Sequence, residues 1–131
     1  MKTKITLIAS ALFLAVLGLL LSFLPQEVLF QLTGLRHQLL SVVLQLLGAV
    51  YLGFAMLNWM AKGSIIGGIY NRPIAIGNFM HFAVGAIALI KFQLATTESS
   101  IILLLLTIGY SLFALIYAYI FNTTPKQVLK D

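Results

Sequence analysis

The imidazole of His81, which ionises near neutral pH, lies well inside an uninterrupted apolar stretch of this sequence. Asn78 precedes it by three residues, about one helical turn, so both side chains would share one helix face. An imidazole donates and accepts hydrogen bonds and exchanges a proton near neutral pH. A histidine in this setting either binds the polar group of a ligand or is held by neighbouring side chains.

Other apolar stretches of the chain carry polar groups at a depth similar to that of His81. His81 lies about seven residues into its stretch, or roughly 10 Å along a helix. In antiparallel helices, four side chains fall within about one turn of that level: Tyr51, Asn58, Tyr110 and Tyr117. We predict a ligand-binding pocket, with Arg72 at its mouth, formed by Asn58, Arg72, Asn78, His81 and Tyr117. Such a pocket suits a lipid headgroup, a quinone or another amphiphile.

Two other interpretations of the same histidine follow from its surroundings. In the first, a tyrosine or asparagine satisfies a buried His81, which then ties helices together and binds nothing. In the second, His81 ligates a metal, which requires further donors. The other histidine, His37, falls at the opposite end of the apolar stretches. We therefore predict no metal site, and the structural and ligand-binding interpretations stay open.

The apolar stretches contain no acidic side chain, which disfavours several classes of function. Glu27 and Glu98 lie in connecting segments, and Asp131 is the last residue of the sequence. Proton-driven transporters generally need a carboxylate inside the membrane, and acid–base or triad hydrolysis needs one at the catalytic site. The absence of cysteine excludes disulfides and thiolate metal sites. We expect a protein that is not an enzyme, with no catalytic residues.

The composition determines which elements position these groups. The 131-residue chain is 61% hydrophobic and 8% charged, whereas soluble domains carry about 25% charged residues. Apolar stretches cover residues 5–24, 38–60, 74–92 and 100–121, each close to the ~20 residues that cross a bilayer as a helix. The connections 25–37, 61–73 and 93–99 are short. We predict an all-α fold, an integral membrane up-down four-helix bundle, as a single domain of residues 1–131.

Small and amide-bearing residues recur along one face of each predicted span. Because burial of apolar surface gives helices little reason to associate within lipid, close packing and hydrogen bonds must hold them together. We assign structural helix–helix roles to Gln45, Gly48, Gly77 and Gly85.

The distribution of lysine and arginine predicts the orientation. One side of the predicted membrane receives Lys2, Lys4, Lys62, Arg72, Lys126 and Lys130, and the other receives Arg36 and Lys91. Basic residues are enriched on the cytoplasmic side, so we place both termini there, in the inner (plasma) membrane. The net charge of +5 is spread along the chain and forms no nucleic-acid patch. The first apolar stretch is longer than a signal-peptide core and lacks its cleavage pattern, so we expect a retained helix.

The segment Leu47-Gly-Ala-Val-Tyr-Leu-Gly-Phe-Ala-Met-Leu-Asn-Trp59 resembles the second helix of small bacterial four-helix membrane proteins of the DoxX-like type. The short connection that follows, the Arg72-Pro73 step and His81 in the third span resemble that family too. The resemblance implies a compact bundle with an accessory role. Some members of the family resemble subunits of quinone-linked oxidoreductases.

Three functional hypotheses follow from the sequence. The first is a small inner-membrane protein of accessory, interaction or amphiphile-binding type, with a polar cluster around His81 near the cytoplasmic leaflet. The second is a lipid- or quinone-binding subunit of a membrane redox or lipid-modifying system. The third is an oligomeric transporter or channel for small solutes. The expected partners are the lipid bilayer and a second copy or another membrane protein. We expect no cofactor other than a bound lipid or quinone.

Overall fold

The computed structural model describes residues 2–64, 71–97 and 100–123, and the regular structure in these ranges is helical. The helices are α1 (Lys2–Phe23), α2 (Pro25–Thr33), α3 (Gln38–Ala61), α4 (Arg72–Ala95) and α5 (Ile101–Asn122). Among the described residues, α1, α3, α4 and α5 are long and apolar enough to cross a membrane. The predicted all-α membrane fold with four spans is therefore confirmed. Residues 65–70, Glu98, Lys126 and Lys130, on which parts of the sequence prediction depend, lie outside the described residues.

The third predicted span, 74–92, is longer in the structure than the hydropathy pattern indicated, because α4 runs from Arg72 to Ala95. Pro73 occupies the first turn, where the missing N–H of proline has no helical partner to lose. At the other end, Gln93 was assigned to a connection but is helical. Its amide nitrogen donates to the carbonyl oxygen of Leu103 at 3.0 Å, so it binds α4 to α5.

Part of the predicted connection 25–37 forms the nine-residue helix α2. Pro25 presets the first turn, and Glu27 places a negative charge at the positive end of the helix dipole. The helix ends at Gly34, whose φ of 70° is left-handed and whose N–H donates to the carbonyl of Phe30 at 2.7 Å. These local signals stabilise a helix that is too short for a hydropathy pattern to reveal.

The described helices belong to two compact units, Met1–Gly63 and Ser64–Asp131. Unit 1 contains α1, α2 and α3, and unit 2 contains α4 and α5. The single domain of residues 1–131 stays a prediction.

In unit 1, α1 and α3 lie antiparallel with their backbones in close contact at two glycines. A Cβ atom added to Gly48 would lie 2.9 Å from the carbonyl oxygen of Gly18, and one added to Gly18 would lie 3.0 Å from that of Gly48. Buried residues of α3 repeat every seven positions along this seam: Ser41, Gly48 and Ala55, with Tyr51 and Asn58. This is the spacing of left-handed helix packing, and small residues permit the approach.

In unit 2, α4 and α5 pack around the fully buried ring of Phe82. The ring stacks on Phe113 and Tyr117 of α5, with centroids 4.9 and 5.8 Å away. Gln93 ties the far end of the pair, since its amide also donates to the hydroxyl of Thr107. Unit 2 is therefore held by an aromatic core at one level and by hydrogen bonds at the other.

The last helix of each unit carries the same short pattern, a tyrosine followed three and four residues later by phenylalanine and alanine. The pattern is Tyr51-Leu-Gly-Phe-Ala55 in α3 and Tyr110-Ser-Leu-Phe-Ala114 in α5. Both tyrosines are buried in their own units. The two helices therefore present a buried phenol from equivalent positions of the same pattern.

Candidate functional site

His81 lies on α4 with its ring half-buried and hydrogen-bonded to α5. Its Nε2 atom is 3.3 Å from the hydroxyl oxygen of Tyr110, and the tautomer of the imidazole decides which of the two donates. The two ring centroids are 5.5 Å apart, with the planes tilted by 43°. This geometry fixes the orientation of an imidazole inside a candidate membrane span.

One side of the imidazole rests on an aromatic cluster formed by Phe82, Tyr110, Phe113 and Tyr117. Phe82 meets the His81 ring edge-on, with centroids 5.1 Å apart and planes at 78°. Phe82 also meets Tyr110 edge-on at 5.3 Å, and Phe82 and Tyr110 are both buried. Such edge-to-face contacts are the favourable arrangement of aromatic quadrupoles. The cluster therefore restricts the orientation of the half-buried imidazole.

The local sequence accounts for this arrangement. Tyr110, Phe113 and Tyr117 follow one another at spacings of three and four, so they share one face of α5. On α4, Gly85 lies one turn after His81, and a Cβ atom at that position would collide with the Tyr110 ring. The glycine therefore provides the space in which the tyrosine approaches α4 and reaches His81.

Three further residues of the predicted pocket also belong to unit 2. Tyr117 is fully buried and contacts Phe82, as His81 does, so these two predicted residues meet around one ring. Asn78 is fully buried, and its amide donates to the carbonyl of Ile74 on its own helix at 2.9 Å. Arg72 is exposed at the start of α4, with its guanidinium carbon 5.1 Å from the centroid of Phe121.

Asn58, the fifth predicted residue, belongs to unit 1 and is fully buried there. Its amide nitrogen donates to the hydroxyl oxygen of Ser10 on α1 at 3.1 Å. The Ser10 hydroxyl in turn donates to the carbonyl of Leu7 at 3.2 Å. Because Asn58 and His81 lie in different units, the five-residue pocket stays a prediction.

Sequence reasoning missed Ser10, Tyr110 as the direct partner of His81, and Gln93. Depth along the helices indicated Tyr110 among several candidates but did not distinguish it from Tyr117. The signal for Ser10 was its position four residues before Leu14 and eight before Gly18, on one face of α1. Gln93 lies four residues, about one turn, after Leu89. Its position on the same helix face would have justified extending the predicted helix to include it.

The residues assigned to helix–helix contacts are all placed within their units. Gly48 packs against Gly18, and Gln45 donates from its amide to the carbonyl of Ser22 on α1 at 3.3 Å. Gly85 faces Tyr110, and Gly77 is half-buried on α4. Among the described residues, no group of three or more His, Cys, Asp or Glu side chains is placed to hold a metal ion.

No protein-family model, curated protein or solved structure matches this chain. The likeness to DoxX-like proteins therefore rests on residues 47–59, Arg72, Pro73 and His81 alone. It stays a prediction.

Proposed function

We propose that this protein is a non-enzymatic accessory protein of the membrane that binds a neutral amphiphile of the quinone class at His81. The observation that carries the proposal is the hydrogen bond between His81 and Tyr110 inside a candidate span. An imidazole both donates and accepts hydrogen bonds, so it can bind a ligand through a carbonyl or hydroxyl group. Polar side chains inside a membrane span commonly mark functional sites.

The depth of His81 favours a neutral head over a charged one. His81 is nine residues after Arg72, the first residue of α4, which corresponds to ~14 Å along the helix axis. That distance exceeds the thickness of a headgroup layer, given a hydrocarbon core of about 30 Å within a bilayer of about 40–45 Å. A phosphate would have to leave the aqueous boundary to reach His81, whereas a quinone ring is soluble at this depth.

The aromatic cluster favours binding by a preformed site. Because Phe82 and Tyr110 are buried and hold the imidazole in one orientation, little side-chain freedom remains to be lost when a ligand binds. The resemblance to DoxX-like proteins supports the accessory role, since some members of that family resemble subunits of quinone-linked oxidoreductases.

Contacts at the helix ends mark the proposed membrane boundary, and the lysine and arginine count assigns its orientation. The Lys62 ammonium lies 3.2 Å from the centroid of the Trp59 ring at the end of α3. Arg72 similarly lies over Phe121 near the end of α5. Pairs of cations and aromatic rings suit the membrane–water boundary. We place these ends, and both termini, on the cytoplasmic side of the inner membrane.

The experiment is a binding titration with decylubiquinone, using the full chain in phosphatidylcholine nanodiscs. His81→Ala should weaken binding about tenfold, because the loss of one hydrogen bond inside a membrane corresponds to ~1–2 kcal/mol. Tyr110→Phe should weaken it less, since the imidazole stays. Val84→Ala, an exposed change on the same helix, is the matched control and should bind as the native chain does. Unchanged affinity in His81→Ala would overturn the proposal.

An interaction role with a second copy of the chain is a further candidate, favoured by an exposed face of α3 within unit 1. Ala49 and Gly53, four residues apart, are both exposed, and a Cβ atom at Gly53 would meet no atom within 4 Å. Small residues at this spacing permit close approach of a second helix. Native mass spectrometry should report dimers for the native chain and monomers for Gly53→Leu. Monomers in both would exclude this candidate.

A further inference from the structure

The segment between α1 and α3, residues 24–37, contains large exposed apolar side chains although it lies outside the candidate spans. Phe30 is 46% exposed and Leu35 is 67% exposed. Immediately before the segment, Phe23 at the end of α1 is 76% exposed. Exposure of apolar surface of this extent to water is unfavourable. The segment would be more stable if these side chains contacted lipid.

The length of α1 places this segment at the membrane boundary. The candidate span Thr3–Phe23 has 21 residues, which is ~31 Å of helix and about the thickness of the hydrocarbon core. Leu24 alone separates α1 from α2, and helical hydrogen bonds continue on both sides of it. The chain therefore enters α2 as it leaves the hydrocarbon.

α2 has three distinct faces. Pro25 and Leu29 are buried within unit 1, so they fix the helix against its neighbours. Glu27 and Gln31 are exposed and polar, and they lie near one another on the helical wheel. Phe30 lies on the flank between these two faces, where a helix at a membrane surface carries its inserted aromatic residues.

A cation is placed beside the exposed ring. The guanidinium carbon of Arg36 lies 5.4 Å from the centroid of Phe30, and Arg36 is itself exposed. A guanidinium forms two parallel hydrogen bonds with a phosphate and stacks on aromatic rings at the same time. The pair therefore matches a phospholipid at two depths, with the ring at the acyl boundary and the cation at the phosphate.

We propose that α2 is a boundary helix that anchors the non-cytoplasmic side of unit 1, with Phe30 inserted among acyl chains and Arg36 bound to a phospholipid phosphate. The proposal concerns residues of unit 1 alone and does not depend on ligand binding at His81. Its occupant is the lipid leaflet, because the exposed surface of α1 leads into the segment without interruption in the chain.

The chain contains no cysteine, so single nitroxide labels can be placed without background. Phe30→Cys and Gln31→Cys are adjacent, both native side chains are exposed, and the two positions point in directions ~100° apart. The labelled full chain is reconstituted in vesicles of equal parts phosphatidylcholine and phosphatidylglycerol. Power-saturation electron paramagnetic resonance then compares collisions with oxygen, which concentrates in lipid, and with a water-soluble nickel chelate.

The ratio of oxygen to nickel collisions should be several-fold higher at position 30 than at position 31. Equal and high nickel collision rates at both positions would put α2 in water and overturn the proposal. Protection of position 30 from both reagents would put it against protein and overturn it too.

The phosphate contact is tested by Arg36→Gln in the chain labelled at position 30. Loss of the guanidinium should lower the oxygen-to-nickel ratio, because α2 and the label at position 30 are then held less firmly in the boundary. Lys91→Gln is the control, since it removes an exposed positive charge from the end of α4 instead. Equal ratios in the two variants would remove Arg36 from the proposal. Circular dichroism on every variant establishes that the helices are retained.

Discussion

The amide of Asn58 on α3 donates to the hydroxyl of Ser10 on α1 at 3.1 Å, and both side chains are fully buried. The Ser10 hydroxyl donates a hydrogen bond to the carbonyl of Leu7, so Ser10 both accepts and donates. These two hydrogen bonds link α1 and α3 near one end of the pair. Further along, Gly18 and Gly48 allow the two helix backbones to approach closely. Unit 1 is therefore held by polar and by steric contacts at separate levels.

We expect Asn58→Ala and Ser10→Ala each to destabilise unit 1, and the double variant to be destabilised by less than the sum. The coupling free energy should be ~0.5–1.5 kcal/mol, in the range found for hydrogen bonds between membrane helices. Unfolding in sodium dodecyl sulfate, followed by circular dichroism, measures all three variants. Strict additivity would mean that the two side chains do not interact in the membrane.

Gly48→Ala should destabilise the contact of α1 with α3 by ~1–3 kcal/mol, the usual cost of overpacking. The added Cβ atom would lie 2.9 Å from the backbone nitrogen of Ser22 and equally close to the Gly18 carbonyl, and backbone atoms have little room to move. Gly53→Ala on the same helix is the control, because its Cβ atom would meet nothing within 4 Å. Equal stability of the two variants in the same unfolding assay would contradict the close approach.

Gly85→Ala should destabilise unit 2 and weaken decylubiquinone binding, because the new methyl group displaces the Tyr110 ring from His81. In the chain that keeps Tyr110, Gly85→Ala should lower the free energy of unfolding by ~1–3 kcal/mol. In the Tyr110→Leu variant, which lacks the ring, the same substitution should lower it by less. The comparison is a double-variant cycle measured by unfolding, together with a binding titration of Gly85→Ala alone. A destabilisation that is the same with and without the ring would show that the clash lies elsewhere.

The spans could be predicted from sequence because the four apolar stretches are long enough to cross a bilayer. In lipid, a helix satisfies the hydrogen bonds of the backbone N–H and C=O groups within the stretch itself. The nine residues of α2 could not be predicted, since its formation depends on Pro25, on the left-handed Gly34 and on burial of Leu29 rather than on periodicity. At the site, the position of His81 within its apolar stretch indicated its depth in the membrane. It did not indicate how each helix is rotated about its own axis. Asn58 was predicted to lie near His81 because both residues have a similar depth. In the structure, the rotation and packing of α3 direct the Asn58 amide to Ser10 on α1.

The proposed orientation predicts a difference in labelling between two single-cysteine variants of this cysteine-free chain. Gln31 lies on α2 and Ser64 follows α3, and both are exposed, so cysteine at either position should accept a maleimide. With six basic residues on the side of Ser64 and two on the side of Gln31, the positive-inside rule places Ser64 in the cytoplasm. A membrane-impermeant maleimide should therefore label Gln31→Cys in intact spheroplasts, and label Ser64→Cys after the membrane is permeabilised. The reverse labelling pattern would show that the orientation is opposite to the proposed one. Labelling of both positions in intact spheroplasts would contradict an odd number of membrane crossings between them. Because α3 is the candidate span between the two positions, the same experiment also tests that α3 crosses the bilayer.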